Sequence, residues 1–420
     1  MSCRLSVIER DVKTNWTGDE REGGRAVCRS MKTFLLVVLG LLPCFAHAED
    51  EAFFPIMAWN HAPGDSAVLK KMRDCGLTVA GFVAVKDLDA VHAAGMKAIV
   101  SDPRVGGYDW TKVDADVARK NVTSLIAEVG KHPAVFGYYL RDEPTSAYFP
   151  GLEKVASVVR ELAPGKWPYI NLFPNYADMN QLGAKNYEDH LEKFIAACHP
   201  PILSYDHYAL MDNGTLRPGY FQNLEQMRAA ALKAKIPFWN IVLSCAHFDY
   251  REPTAADFRF QAYSTLAYGG RGLSYFTYFT SPTGGYRMAP IDQFGNETPT
   301  WYFMQHTNLQ VLKLAPTINK LTSDRVYHFG KIPDGCRGPD DKSLLSGGEE
   351  HLMAGDFTHE DGSRWVMVVN RDVVKSHYCK VTWRTAKKVQ KLNAYHGQLT
   401  SFEGEDGWLA PGQGVLLRVE

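Results

Sequence analysis

Charge of one sign is what this chain most conspicuously lacks. Its 46 lysines and arginines stand against 47 aspartates and glutamates, a net charge of -1. Nucleic-acid binding needs a basic face, so no nucleic-acid partner is expected. Cysteine is sparse and unpatterned. Cys75, Cys198, Cys245, Cys336 and Cys379 show no C-x-x-C spacing, and their odd number leaves at least one free thiol. Cys336 and Cys379 lie in the same C-terminal region, but spacing alone does not pair them. There is no H-E-x-x-H or other metal-ligand spacing, so neither metal nor cofactor is expected. A phosphate loop is missing too, as are internal repeats and low-complexity tracts.

Long apolar runs are also lacking. The run Phe34–Leu42 is too short to span a bilayer. It follows Met31 and Lys32 and precedes Ala46-His47-Ala48. A charged start, a short apolar core and an A-x-A site make a secretory leader. This places the leader at 31–48 and a mature start near Glu49. The expected location is secreted or periplasmic, with no stable membrane anchor after cleavage. Cys3, Cys28 and Cys44 precede that point. Residues 1–30 are polar and unnecessary for export, so they read as an extension upstream of a true start at Met31. A cytoplasmic tail is the alternative.

What is present is alternation. Short apolar strands are separated by amphipathic helical stretches, the pattern of βα units around a parallel sheet. Eight strands are predicted: Phe53–Asn60, Leu77–Val83, Lys97–Asp102, Val135–Leu140, Tyr169–Asn175, Ile202–Tyr208, Phe238–Ser244 and Leu273–Thr280. Gly76 and Pro164-Gly165 close helices, and Thr254-Ala-Ala-Asp257 resembles a capping box. Eight units over roughly 270 residues fit a closed (β/α)8 TIM barrel, assigned to 49–324. An open doubly wound sheet would want a Gly-rich loop after strand one, and Asn60-His61-Ala62-Pro63-Gly64 is not one. From about Arg325 the helical period disappears. Strand-like runs separated by Asp361-Gly362 and Pro411-Gly412 read as a small antiparallel β-sandwich over 325–420.

Barrel chemistry gathers at the C-terminal ends of the strands, where this sequence concentrates polar and aromatic residues. The strongest signal is strand four, Gly137-Tyr-Tyr-Leu-Arg-Asp-Glu-Pro144. Cleaving a glycosidic bond needs one carboxylic acid to protonate the leaving oxygen and a second carboxylate as base or nucleophile. Glu143 stands where the first belongs, with Asp142 beside it. Strand alternation predicts that Arg141 shares its side and tunes it. For the second carboxylate, Asp206 at the tip of strand six is preferred, since a strand end is a rigid mount. Glu252 and Asp249 are the loop alternatives. Substrate-binding candidates at the other tips are Trp59, Asn60, Asn171, Asn175, His207, Tyr208, Trp239, His247, Tyr275 and Tyr278. Arg287 and Asp292 are placed at the cleft edge.

On these residues the chain resembles clan A of the glycoside hydrolases, whose fourth strand ends Asn-Glu-Pro with the Glu as acid/base; here Asp142 replaces the Asn. The stretches Gly272–Phe279 and Ile291–Trp301 are loosely similar to the last strand and following helix of family 42 β-galactosidase-like barrels. Trp365-Val-Met-Val-Val-Asn-Arg is similar to the sandwich appended to many such enzymes. The resemblance implies an exported O-glycosyl hydrolase acting on an oligo- or polysaccharide. One departure stands out: clan A carries its nucleophilic Glu at the end of strand seven, and Phe238-Trp-Asn-Ile-Val-Leu-Ser-Cys245 has no carboxylate there. Retaining and inverting mechanisms therefore both remain open. So does a carbohydrate-binding pseudoenzyme that has lost its nucleophile and, further off, a transglycosylase.

Overall fold

A computed structural model describes residues 53–402 and 407–420; the proposed extension and leader lie outside them. Eight strands form a closed barrel: β1 (Ile56–Ala58), β2 (Val79–Val83), β3 (Lys97–Val100), β4 (Val135–Asp142), β5 (Trp167–Leu172), β6 (Leu203–Asp206), β7 (Phe238–Leu243) and β8 (Leu273–Phe276). Each is parallel to the next, and β8 closes parallel on β1, with Met57 opposite Ser274. The helices are α1 (Ser66–Asp74), α2 (Leu88–Ala93), α3 (Pro103–Gly106), α4 (Ala115–Val129), α5 (Phe149–Leu162), α6 (Met179–Leu182), α7 (Tyr187–Cys198), α8 (Tyr220–Ala234), α9 (Ala255–Ala267) and α10 (Pro299–Ile318). Among the described residues no helix is long and apolar enough to cross a membrane.

The local signals act as expected. Asp65 caps α1 by accepting from the backbone N–H of Ala67 and Val68, both at 2.9 Å. Thr254 and Asp257 form a reciprocal capping box at the start of α9. The barrel interior is filled by Met57, Val79, Ile99, Tyr169, Ile202 and Trp239, with Trp59, Phe82, Tyr139 and Trp167 packed against them. Aromatic rings at 5–6 Å, edge to face, thus plug the barrel as a solid core.

The C-terminal strands are β9 (Leu321–His328), β10 (Leu345–Gly348), β11 (Leu352–His359), β12 (Arg364–Asn370), β13 (His377–Tyr378), β14 (Val381–Trp383), β15 (Val389–Leu392), β16 (Leu399–Ser401), β17 (Trp408–Leu409) and β18 (Gly414–Val419). Six make an antiparallel sheet in the order β16-β15-β18-β12-β11-β9, and β10-β14 and β13-β17 are separate two-stranded ribbons. Alternation along the strands splits the sheet into two apolar faces. Ala354, Val366, Val368 and Leu417 pack with Leu345, Cys379 and Leu409 of the ribbon side. Met353, Phe357, Met367 and Leu416 join the main core, against α9. Cys379 and Cys336 are free thiols, as are Cys75, Cys198 and Cys245, so no disulfide forms among the described residues.

At Gly355 sheet and barrel approach closely. A Cβ there would lie 2.0 Å from the backbone carbonyl oxygen of Ala267, at the end of α9. Backbone cannot yield as a side chain can. Gly355→Ala is expected to destabilise the protein by about 3 kcal/mol or more, read as a lowered denaturation midpoint. An unchanged midpoint would show that the joint is loose.

Candidate active site

The site begins with a break in strand regularity. Between Tyr139 and Arg141 the β4–β5 register slips, so that Tyr139 faces Tyr169 and Arg141 already faces Ile170. Such a bulge re-aims the side chains beyond it. Glu143 then takes the left-handed conformation at φ 41°, which costs a non-glycine residue on the order of 1 kcal/mol. Its N–H donates to the carbonyl of Asn171 at 2.9 Å, tying the turn to β5.

Pleat and turn together bring three acids to one spot. The Glu143 and Asp206 carboxyls, the latter at the tip of β6, lie close enough to interact directly. Asn171 donates from one amide nitrogen to Asp206 Oδ1 at 2.8 Å and to Asp142 Oδ1 at 3.1 Å. Asn171 itself is held by Ser204 Oγ–H at 2.8 Å, and Tyr169 OH lies 2.9 Å from that hydroxyl oxygen. A chain of hydrogen bonds thus runs from the barrel core to the acids and fixes them.

Burial and mutual repulsion raise all three acids above the ordinary carboxylate range. Glu143 is pushed up to about 7, by burial first and then by the charge of Asp142. Asp206, only 5% exposed, is pushed well above the usual carboxylate range by burial, then by Glu143 and Asp142. Burial also raises Asp142. Two acids this close titrate as a pair, and both are shifted towards the protonated form.

Aromatic side chains gather near the acids at the strand ends. Trp59 meets Phe82 edge-on at 4.7 Å and Tyr139 at 5.9 Å. Tyr208 lies beside Phe276 at 5.3 Å, and His247 stacks on Tyr286 at 5.0 Å and 10°. Tyr176, 40% exposed, carries the guanidinium of Arg217 at 4.4 Å. Phe248 is 75% exposed on the next loop.

The structure separates the other candidates. Arg141 is exposed, with its guanidinium 5.8 Å from the Tyr148 ring. It does not share a side with Glu143, because the left-handed turn at Glu143 breaks the alternation. Trp239 is fully buried against Tyr169 and Trp167, inside the barrel plug. Tyr275 and Tyr278 are fully buried and point at α10: Tyr275 donates to Asn308 at 2.7 Å, and Tyr278 accepts from the Trp301 indole at 3.0 Å. A short strand exposes few positions to the mouth, and these two face outward. Asn175 is spent on Gly219 and Gln226 of the α8 approach, and Asn60 clasps β1 to the segment after β8 through Thr277 and Tyr278. His207 is buried under Tyr176 and bonded to Asn223; burial lowers it to about 4, so it is neutral. Glu252 is half exposed and pairs with Arg287 at 3.3 Å, away from the acid cluster.

Sequence reasoning did not single out Phe82, Tyr139, Tyr176, Arg217, Phe276 or Tyr286. Tyr139 had a readable signal, four residues before Glu143 on the same strand. Tyr176 and Arg217 lie in long βα loops, whose path no periodicity reports.

No protein-family model matches the chain, and no curated protein matches it. Solved structures do. A structure described as a glycoside hydrolase superposes with TM-score 0.55 at 13% identity, over 88% of this chain and 93% of that one. A family 5 glycoside hydrolase from Bacteroides vulgatus ATCC 8482 gives 0.54 at 13% identity, over 88% and 90%. The fold is shared with glycoside hydrolases. A β-galactosidase from the psychrophilic Marinomonas ef1 gives 0.47 at 12% identity. That match covers 62% of this chain, which spans only 60% of the enzyme's length. At these identities the likeness is one of architecture, and chemistry has to be argued from the site.

Proposed function

We propose that this chain is a glycoside hydrolase acting on an oligo- or polysaccharide, with Glu143 as general acid/base and Asp206 as the second carboxyl group. The observation that carries this is the Glu143–Asp206 pair at the C-terminal end of the barrel, both raised by burial and repulsion, with aromatic side chains beside it. Glu143 brings the proton that the leaving oxygen needs. Asp206 acts on the anomeric carbon, directly or through water. The aromatic faces of the rim suit the apolar faces of sugar rings.

In this reading the bound sugar leaves the proton on Glu143 and the charge on Asp206, and the carboxyl separation in the complex decides the outcome: about 5–5.5 Å for retention, about 6.5–9.5 Å for inversion. The leader pattern at 31–48 supports an exported enzyme.

A sugar-binding scaffold without turnover is the second reading. It is favoured by one observation: β7 ends in Leu243, Ser244 and Cys245, with no carboxylate, and the buried thiol of Cys245 is pushed up to about 12. Incubation with a panel of aryl glycosides and natural glycans, followed by reducing-end release and calorimetry, tests both. Turnover supports the hydrolase, binding alone supports the scaffold, and neither response removes the carbohydrate reading.

Asp142 supplies a sharper check. Its charge is the second cause of the raised Glu143 pKa. Asp142→Asn, which still offers Asn171 an acceptor, should move the alkaline limb of kcat/KM to lower pH. A limb that stays put or moves up would show that Glu143 is not the titrating acid.

A further inference from the structure

Away from the barrel mouth, one cluster in the C-terminal domain is left without a task. His351 immediately precedes β11, Asp372 follows β12, and His377 opens β13. Their ligand-capable atoms all lie within 4.8 Å of one another. The two imidazole rings stack at 4.1 Å and 25°, and His377 Nε2 lies 3.0 Å from Asp372 Oδ2.

The carboxylate is aimed. Asp372 Oδ1 accepts from the backbone N–H groups of Val374 at 2.7 Å and Lys375 at 2.9 Å. That leaves Oδ2 directed at the imidazoles. The adjoining backbone is also fixed, since Arg371 N–H donates to the carbonyl of His351 at 2.8 Å. The Arg371 guanidinium turns away and donates to the carbonyls of Phe329, Lys331 and Glu350. It therefore does not neutralise Asp372. A second carboxylate is within reach: Glu350 Oε1 lies 3.2 Å from His351 Nε2. His351, His377 and Glu350 border a polar cavity of about 500 Å³ with Lys380 and Thr382 on its far side.

We propose that His351, Asp372 and His377 bind a divalent transition-metal ion of the Zn²⁺ type. Two imidazoles and one carboxylate form a donor set of borderline softness, which favours such ions over Ca²⁺ and Mg²⁺. Three protein ligands with water in the fourth position satisfy a tetrahedral ion. His377 Nε2 and Asp372 Oδ2, now 3.0 Å apart, need to open only to about 3.4 Å to sit about 2.1 Å from a shared tetrahedral centre. Bound there, the ion would staple the β12–β13 loop to the start of β11. Its role is structural and independent of sugar cleavage.

The test uses the full chain without an affinity tag, stripped with chelator and titrated with zinc chloride alone or calcium chloride alone. One zinc per chain and a thermal midpoint raised by several degrees are expected, since a ligand bound only by the folded state stabilises it. His351→Gln and His377→Gln should each weaken zinc at least tenfold while leaving the metal-free midpoint unchanged. His92→Gln, on the exposed side of α2, should bind as the parent does. Copper(II) resonance spectra should show two imidazole nitrogens in the parent and one in either variant. Absence of stoichiometric uptake, calcium bound as tightly as zinc, or parent-like affinity in both variants would each overturn the site.

Discussion

Replacing Glu143 with glutamine should lower kcat/KM on substrates with poor leaving groups on the order of 10³-fold, within the range that general acid catalysis spans. The glutamine keeps the size of the side chain and can still donate to Asp206, so sugar affinity measured by calorimetry should survive. The defect should depend on the leaving group. An aryl glycoside whose phenol departs without a proton needs little help from the acid, and its first step should be much less impaired than cleavage of a natural sugar–sugar bond. This dependence separates a lost proton donor from a distorted pocket, which would slow both substrates alike. The left-handed turn at residue 143 tolerates glutamine as well as glutamate. If the variant stays within tenfold of the parent on natural glycans, Glu143 is not the acid.

Asp206→Asn should abolish turnover to a similar degree while making the protein more stable at neutral and alkaline pH. The sign comes from linkage. Both carboxyls are raised in the folded state, so between pH 4.5 and about 7 the native state holds protons that the unfolded chain has released. Stability then falls as pH rises. Asparagine at 206 removes one buried acid, can still accept from Asn171, and can donate to an ionised Glu143. The decline should flatten. Urea unfolding across the range from mildly acidic to mildly alkaline pH gives the comparison: the parent loses stability over the interval and the variant loses less. A variant as pH-sensitive as the parent, or one that is more stable and fully active, would show that the pair is neither coupled nor catalytic. Stability gained by removing a functional group is the usual mark of an active site held in strain.

Both expectations trace back to a site that was partly legible in one dimension. Glu143 stood out because an apolar strand ran into Arg-Asp-Glu and stopped at Pro144, and Asp206 because it ended the sixth strand. Strand ends are local features, set by where hydrophobic alternation gives way to polar residues. Asn171 could be placed at the same rim for the same reason. Its part as the bridge between Asp142 and Asp206 could not, since that depends on the register between β5 and its neighbours. Arg141 was misplaced because the left-handed turn at Glu143 breaks the alternation between residues 141 and 143. Tyr275 and Tyr278 were misplaced because alternation says which residues share a face but not which face meets the cleft.

The metal-type cluster lies further from sequence view. His351, Asp372 and His377 are separated by twenty and by four residues and match no ligand spacing. They meet only because β11 and β12 pair antiparallel and return their ends to one edge. The amino-acid order was sufficient for the parts governed by short-range chemistry: the eight-fold βα rhythm, the change to strands near residue 325, the helix caps and the acid at the fourth junction. The folded molecule alone settled what needs distant segments side by side. It pressed two carboxyls into contact, raised them by burial, lined the mouth with rings from separate loops and turned Trp239 inward. The cause is the range of the forces involved. Periodicity and capping act over a few residues, whereas desolvation and charge repulsion depend on neighbours that only chain closure supplies.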